Sequence, residues 1–127
     1  MVVRAVSAAV TATNATANGA SYTPTVANAT FRITCYVDCT VGTTMSMSVT
    51  YTYKDTAGGT VTDTMPLTTA AGLVLLNGLI ITTGRYMATV TVNTAGALTA
   101  ITVQTAGTVT TTTYTLSSTI EELQVGL

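Results

Sequence analysis

The chain is predicted to be all-β: an antiparallel β-sandwich or jelly roll of about seven to eight strands with an extended N-terminal arm. Three observations lead there. Apolar and polar residues alternate with a period of two in several segments, which puts one face of each in a core. Those segments recur at roughly 10-residue spacing between Gly- and Asn-containing turn signals, as in sandwiches and jelly rolls. About a quarter of the 127 residues are Thr, a β-branched residue that is stiff at χ1 and favours strands.

Residues 1–20 are rich in Ala, Thr, Asn and Gly and carry no strong period. They are expected to form a flexible or partner-wrapped arm outside the sandwich, which then occupies 21–127. Phe31, Ile33, Cys35 and Val37 alternate with Arg32, Thr34 and Tyr36, and Gly42 is placed in the following turn. Met45, Met47, Val49, Tyr51 and Tyr53 alternate with Ser and Thr over nine residues, the cleanest strand in the chain. Lys54-Asp55-Thr56-Ala57-Gly58-Gly59 has the charge and paired glycines of a hairpin loop. The chain returns through Thr60 to Met65, and Pro66 ends that strand or puts it on an edge.

The apolar run from Leu73 to Ile81, split by Asn77-Gly78, is expected to be two short buried strands or one bulged strand. Tyr86, Ala88, Val90 and Val92 form the next apolar face, and Asn93-Thr94-Ala95-Gly96 another hairpin. Leu98 to Val103 is expected as a strand, Thr105-Ala106-Gly107 as its turn, and Thr108 to about Ile120 as a last long strand with Tyr114, Leu116 and Ile120 inward. Glu121-Glu122-Leu123 allows one helical turn at the end.

Composition narrows the function. Only 7% of residues are charged, against roughly 25% in ordinary domains. Net charge is −1, with no His and no Trp, so there is no electrostatic footprint for nucleic acid or an anionic membrane. No run approaches the ~20 apolar residues of a spanning helix. A hydrophobic content of 47% is the opposite of a disordered composition. So little charge protects a free monomer poorly against self-association, and much of the surface is expected to be covered by copies of the chain or by a partner. Met1-Val2-Val3-Arg4 and the short apolar stretch to Val10 weakly resemble a signal peptide, but the stretch is interrupted by Ser7, and the arm is the preferred reading.

Catalysis is not expected. The titratable supply is Arg4, Arg32, Lys54, Arg85, Asp38, Asp55, Asp63, Glu121 and Glu122, besides Tyr and Cys. Without His there is no Ser-His-Asp or Cys-His arrangement, and Gly58-Gly59 lacks the flanks of a phosphate loop. Cys35 and Cys39 supply half a tetrahedral zinc site and nothing in one chain completes it. In an extended strand they stand about 13 Å apart, beyond disulfide reach. One buried and one loop thiol is the first expectation; a turn at Val37-Asp38 would instead bring them into a local disulfide. Catalytic, cofactor-binding and metal sites are therefore each expected to be absent. Asn14-Ala15-Thr16 and Asn28-Ala29-Thr30 match the glycosylation pattern by chance in so Thr-rich a chain. Tyr51, Tyr53, Tyr86 and Tyr114 offer a sugar-binding aromatic face, but they lie on apolar registers and are expected in the core.

Two segments carry a resemblance. One is Ser48-Val49-Thr50-Tyr51-Thr52-Tyr53-Lys54-Asp55-Thr56-Ala57-Gly58-Gly59-Thr60-Val61-Thr62. The other runs from Gly84-Arg85-Tyr86-Met87-Ala88-Thr89-Val90 to Thr113-Tyr114-Thr115-Leu116 and Ile120-Glu121-Glu122-Leu123. Together they resemble small all-β virion structural proteins of tailed bacteriophages, of the capsid decoration, head-fibre and tail-component type. The resemblance implies a homo-oligomer, often a trimer, made in the host cytoplasm and held on the particle surface by the major capsid or tail protein, with no residue role to carry over. The alternatives are an extracellular pilus or surface-layer subunit using residues 1–20 as a donor strand, and a carbohydrate-binding module.

Overall fold

The computed structural model of the chain describes residues 2–75, 77–94 and 99–123. It is all-β. The strands are β1 (Val2–Thr13), β2 (Asn18–Tyr22), β3 (Ala29–Lys54), β4 (Thr60–Thr64), β5 (Thr68–Thr69), β6 (Gly84–Thr94) and β7 (Ile101–Glu122). Every pairing between them is antiparallel.

One long ladder organises the fold. β3 and β7 run side by side from Phe31↔Glu122 to Thr52↔Thr102. At one end β1 pairs with β7 and β6 with β3, and β5 adds to the outside of β6. At the other end β2 pairs with β7 and β4 with β3. The ladder then folds over on itself. The hydroxyls of Thr105 and Tyr114 lie 2.8 Å apart although nine residues separate them within β7, a stretch that would span about 30 Å if straight. Likewise Cys39 Sγ and Met45 Sδ, six residues apart in β3, lie 3.6 Å from one another. The single sheet therefore curls into two facing layers, which is the sandwich architecture.

The bend has a local cause in each strand. β3 carries a register shift between Cys39 and Val41, where one extra residue kinks a strand. In β7 the buried positions are odd-numbered at Ile101, Val103 and Thr105 but even-numbered from Thr112 through Tyr114, Leu116, Ser118 and Ile120. The switch of face falls across Gly107 (φ 105°) and Thr111 (φ 51°), since a left-handed residue breaks strict alternation. A Cβ at Gly107 would collide with the carbonyl oxygen of Ser46, so glycine is required there.

The core lies between the layers. β3 contributes Phe31, Ile33, Cys35, Val37, Cys39, Met45, Met47 and Val49, and β7 the residues just named, joined by Tyr86, Ala88 and Val92 of β6. The expected alternation along β3 and β7 is thus the observed core register. The Lys54–Gly59 loop is a hairpin: Lys54 pairs with Thr60, and Asp55 accepts from the amides of Ala57 (3.0 Å) and Gly59 (2.9 Å). β4 ends at Thr64, ahead of Pro66.

Several expectations are corrected. Residues 1–20 are no arm: β1 lies along β7 from Val2↔Glu122 to Thr13↔Thr113, and Ala17 and Ala20 are buried. The backbone ladder, rather than an apolar period, holds this segment, so the sandwich begins at Val2 and not at residue 21. The turns expected at Gly42 and Gly107 lie inside continuous strands, whose pairing runs on past both glycines. Among the described residues of the run 73–81 no strand forms; Val74 and Ile80 make the isolated bridges Thr68↔Val74 and Met47↔Ile80. Glu121 and Glu122 end β7 instead of starting a helical turn. Of the hairpin expected at 93–96, Asn93 and Thr94 belong to β6, while Ala95, Gly96 and the strand start at Leu98 lie outside the described residues.

Candidate assembly surface

The residues that chemistry would use are dispersed. Among the described residues no group of three or more His, Cys, Asp and Glu side chains converges. Glu122 is 4% exposed and bound to Arg4 at 3.2 Å, while Arg32 pairs with Glu121 at 3.3 Å across the β3–β7 ladder. Arg4 also stands over the Tyr22 ring, 5.9 Å from its centroid. These charges fasten strands together.

Both thiols are free and buried, so the loop thiol expected at position 39 is instead inside the bend of β3. Burial pushes the Cys35 thiol up to about 12, against a smaller opposing effect of the Ala88 backbone. Burial, and next the negative charge of Asp38, raise Cys39 above its usual range. Neither is a nucleophile near neutral pH. Asn14 and Asn28 both have positive φ, a conformation Asn tolerates. The Asn14 Oδ1 accepts from the Thr112 amide at 2.8 Å, which makes it a turn residue.

The tyrosines divide. Tyr114 is fully buried and Tyr86 nearly so, with the Tyr86 hydroxyl donating to the Thr82 carbonyl at 2.8 Å. Tyr51 and Tyr53 are only partly buried. Their rings stack at 6.0 Å and 11°, and Asp63 is the cross-strand partner of Tyr51. Burial first, then the Asp63 charge, raises the Tyr51 phenol above its usual range.

An uncharged strip lies on the outer face of the layer formed by β1, β7, β3 and β6. Two rows cross it. Val6, Thr119, Thr34 and Thr89 are aligned through successive pairings, as are Ser117, Tyr36 and Met87. Charges flank these rows: Glu121 and Arg32 on one side, Asp38 and Arg85 on the other. Val6 and Met87 are 67% and 53% exposed. Tyr36 stands at the centre, between a depression of about 460 Å³ that reaches Pro66, Thr68 and Met87 and one of about 240 Å³ that reaches Val6, Ala8 and Thr119. In the sequence Tyr36 falls on the polar register, with Arg32 and Thr34, and no role was expected of it. The available signal was that an aromatic there, beside Thr34, gives the solvent face an anchor.

No protein-family model matches the chain, and no curated protein does. Among solved structures it is similar to the enzymatically active domain of tailspike protein 4 from bacteriophage CBA120, with 10% identity and a TM-score of 0.49. That match covers 91% of this chain but 15% of the tailspike. It is also similar to the CBM22-1 xylan-binding domain of Paenibacillus barcinonensis Xyn10C, with 15% identity, a TM-score of 0.44, and coverage of 85% of this chain and 66% of that one. A family 16 carbohydrate-binding module matches with 16% identity and a TM-score of 0.45, covering 82% of this chain and 67% of the module.

Proposed function

We propose that this protein is a non-enzymatic virion structural subunit, a capsid decoration or fibre subunit that forms a homotrimer and seats on the major capsid or tail protein. The observation that carries this is the outer face around Tyr36, whose two central rows contain no charge. Depletion of charge with an aromatic at the centre is the composition of interface cores. The choice of a virion rests on the resemblance of the segments 48–62 and 84–123. The donor-strand alternative loses its segment, because β1 already lies on its own β7.

The test is co-purification. Particles banded from the source culture should contain the chain in stoichiometric amount by mass spectrometry, and the Tyr36→Lys variant should not be retained on them. A chain absent from purified particles would contradict the proposal.

One observation favours a second reading, carbohydrate binding: the partly exposed Tyr51–Tyr53 stack beside Asp63 joins aromatic surface to a carboxylate acceptor. Affinity electrophoresis in gels cast with soluble polysaccharides separates the two. Retardation that is lost in Tyr51→Ala with the oligomer intact would favour the glycan reading.

A further inference from the structure

β6 pairs with β3 along its whole length, from Ala29↔Thr94 to Cys39↔Gly84, with no register shift. On its other side, among the described residues, it pairs only with β5, through Thr68↔Met87 and Thr69↔Tyr86. The Arg85 carbonyl turns to that side, since it accepts from the Ala70 amide at 3.1 Å. Main-chain groups alternate in direction along an antiparallel strand, so the N–H and C=O of Met87, Thr89, Thr91 and Asn93 turn the same way. Met87 meets β5. Thr89, Thr91 and Asn93 have no strand partner on that side among the described residues.

β5 stops short for a local reason. Its next hydrogen-bonding position, opposite Thr89, falls to Pro66, which has no N–H to give. The Leu67 amide donates instead to the Met65 carbonyl at 2.9 Å, and the chain leaves the edge. The depression of about 460 Å³ lined by Pro66, Thr68, Ala88 and Thr89 marks the place where β5 would have continued.

An open edge is a template for another strand, and folds guard theirs with bulges, charges or Pro. β1, at the opposite end of the strand order, is guarded: it carries two register shifts against β7, and Arg4. β6 has neither bulge nor Pro, and no charge at positions 86–94. Thr89, Thr91 and Asn93 are exposed on its outer face, while Val90 is half-buried and Val92 buried on its inner face.

We propose, on the assembly reading above, that an extended segment of the capsid or tail protein on which this chain seats adds to the outer edge of β6 at positions 88–93, antiparallel and in line with β5. Unpaired main-chain groups fix the occupant as a β-strand, and the flanking side chains fix its chemistry. It is uncharged, with apolar residues on the side of Val90 and Val92 and hydroxyl or amide residues beside Thr89 and Thr91. The chain's own edges match this poorly. β1 is bulged, β4 carries the exposed Asp63, and a β6–β6 pair is two-fold, which does not build a trimer.

Thr91→Pro tests this against Thr91→Val. Pro removes the outward N–H and leaves the β3 side of the ladder intact, whereas Val keeps the N–H and the side-chain shape. Circular dichroism and a thermal melt check folding. On purified particles Thr91→Val should be retained as the wild type is, and Thr91→Pro at least about tenfold less. Free in solution, both variants should sediment as the wild-type oligomer; dissociation of Thr91→Pro alone would put a second copy on the edge and overturn the proposal. Hydrogen exchange of the wild type, read by mass spectrometry on the peptide covering 88–94, decides if Thr91→Pro fails to fold. The amides of Thr89, Thr91 and Asn93 should exchange at least about tenfold more slowly on the particle than in the free chain. Equal exchange, or equal retention of both variants, overturns the strand addition while the assembly reading stands. Absence of the wild type from particles overturns both.

Discussion

The Tyr114 hydroxyl lies 2.8 Å from the Thr105 hydroxyl and 2.7 Å from the Ala15 carbonyl oxygen, which ties the two halves of β7 to each other and to the segment linking β1 and β2. Thr105 in turn binds Ala17, accepting from its amide at 2.7 Å. A buried hydroxyl pair in which each member also holds a backbone group is a connected network, and it specifies geometry inside an apolar core. Tyr114→Phe keeps the ring and removes the link. It should cost about 1–2 kcal/mol in chemical denaturation. The double variant with Thr105→Val should cost less than the sum of the two single changes, with a coupling of at least about 0.5 kcal/mol.

Val49 is fully buried and Thr50, its neighbour, is only half so. The Thr50 hydroxyl makes one long bond, 3.4 Å to the Gln104 carbonyl. Val49→Ala should cost about 1–3 kcal/mol through the cavity it leaves, and Thr50→Ala less than about 1 kcal/mol through lost strand propensity. Urea denaturation of the two variants measures both, and equal costs would mean the faces of β3 are misassigned.

What could be read from residue order was the pattern that burial imposes. Phe31 to Val37, Met45 to Val49 and Tyr114 to Ile120 alternate because one face is packed, and each lies in the core as its period requires. β1 was illegible because it is an edge strand held by backbone pairing, with Val3 and Val6 more than half exposed. The continuity of β3 and β7 was hidden by Gly42 and Gly107, since a glycine marks a departure from regular strand but not whether the ladder survives it. The 73–81 run misled because hydrophobicity does not say which apolar residues of a run a loop turns inward: Ile80 is buried while Leu73, Val74 and Ile81 are exposed. Tyr36 was missed because a two-residue period sorts residues by face and is silent about what the outer face does.

Gly107→Ala should be among the costliest small changes. The residue sits at φ 105° against the Ser46 carbonyl, so an added methyl meets both backbone strain and a rigid neighbour. The expected loss is about 2–4 kcal/mol, measured as a lower denaturation midpoint with unchanged slope.

Alkaline pH should destabilise the protein through its buried acids. Cys35 is raised from 9.0 to about 12 in the folded chain, so the native state keeps a proton that the unfolded state releases. That contribution is fully present below pH 9 and is lost as the pH rises from 9 towards 12. Tyr114, raised above its ordinary 10.0 mainly by burial, adds a loss of the same sign starting near pH 10. Denaturation midpoints across this range should fall, and fall less steeply in Cys35→Ala. In native protein at pH 8 neither thiol should react with a thiol reagent, while both should react on unfolding.

The central claim, that this chain functions as one member of an oligomer, is tested most directly by light scattering behind size exclusion on the wild-type chain at micromolar concentration. A single species of about three times 12.9 kDa is expected. A stable species of 12.9 kDa at that concentration would contradict it.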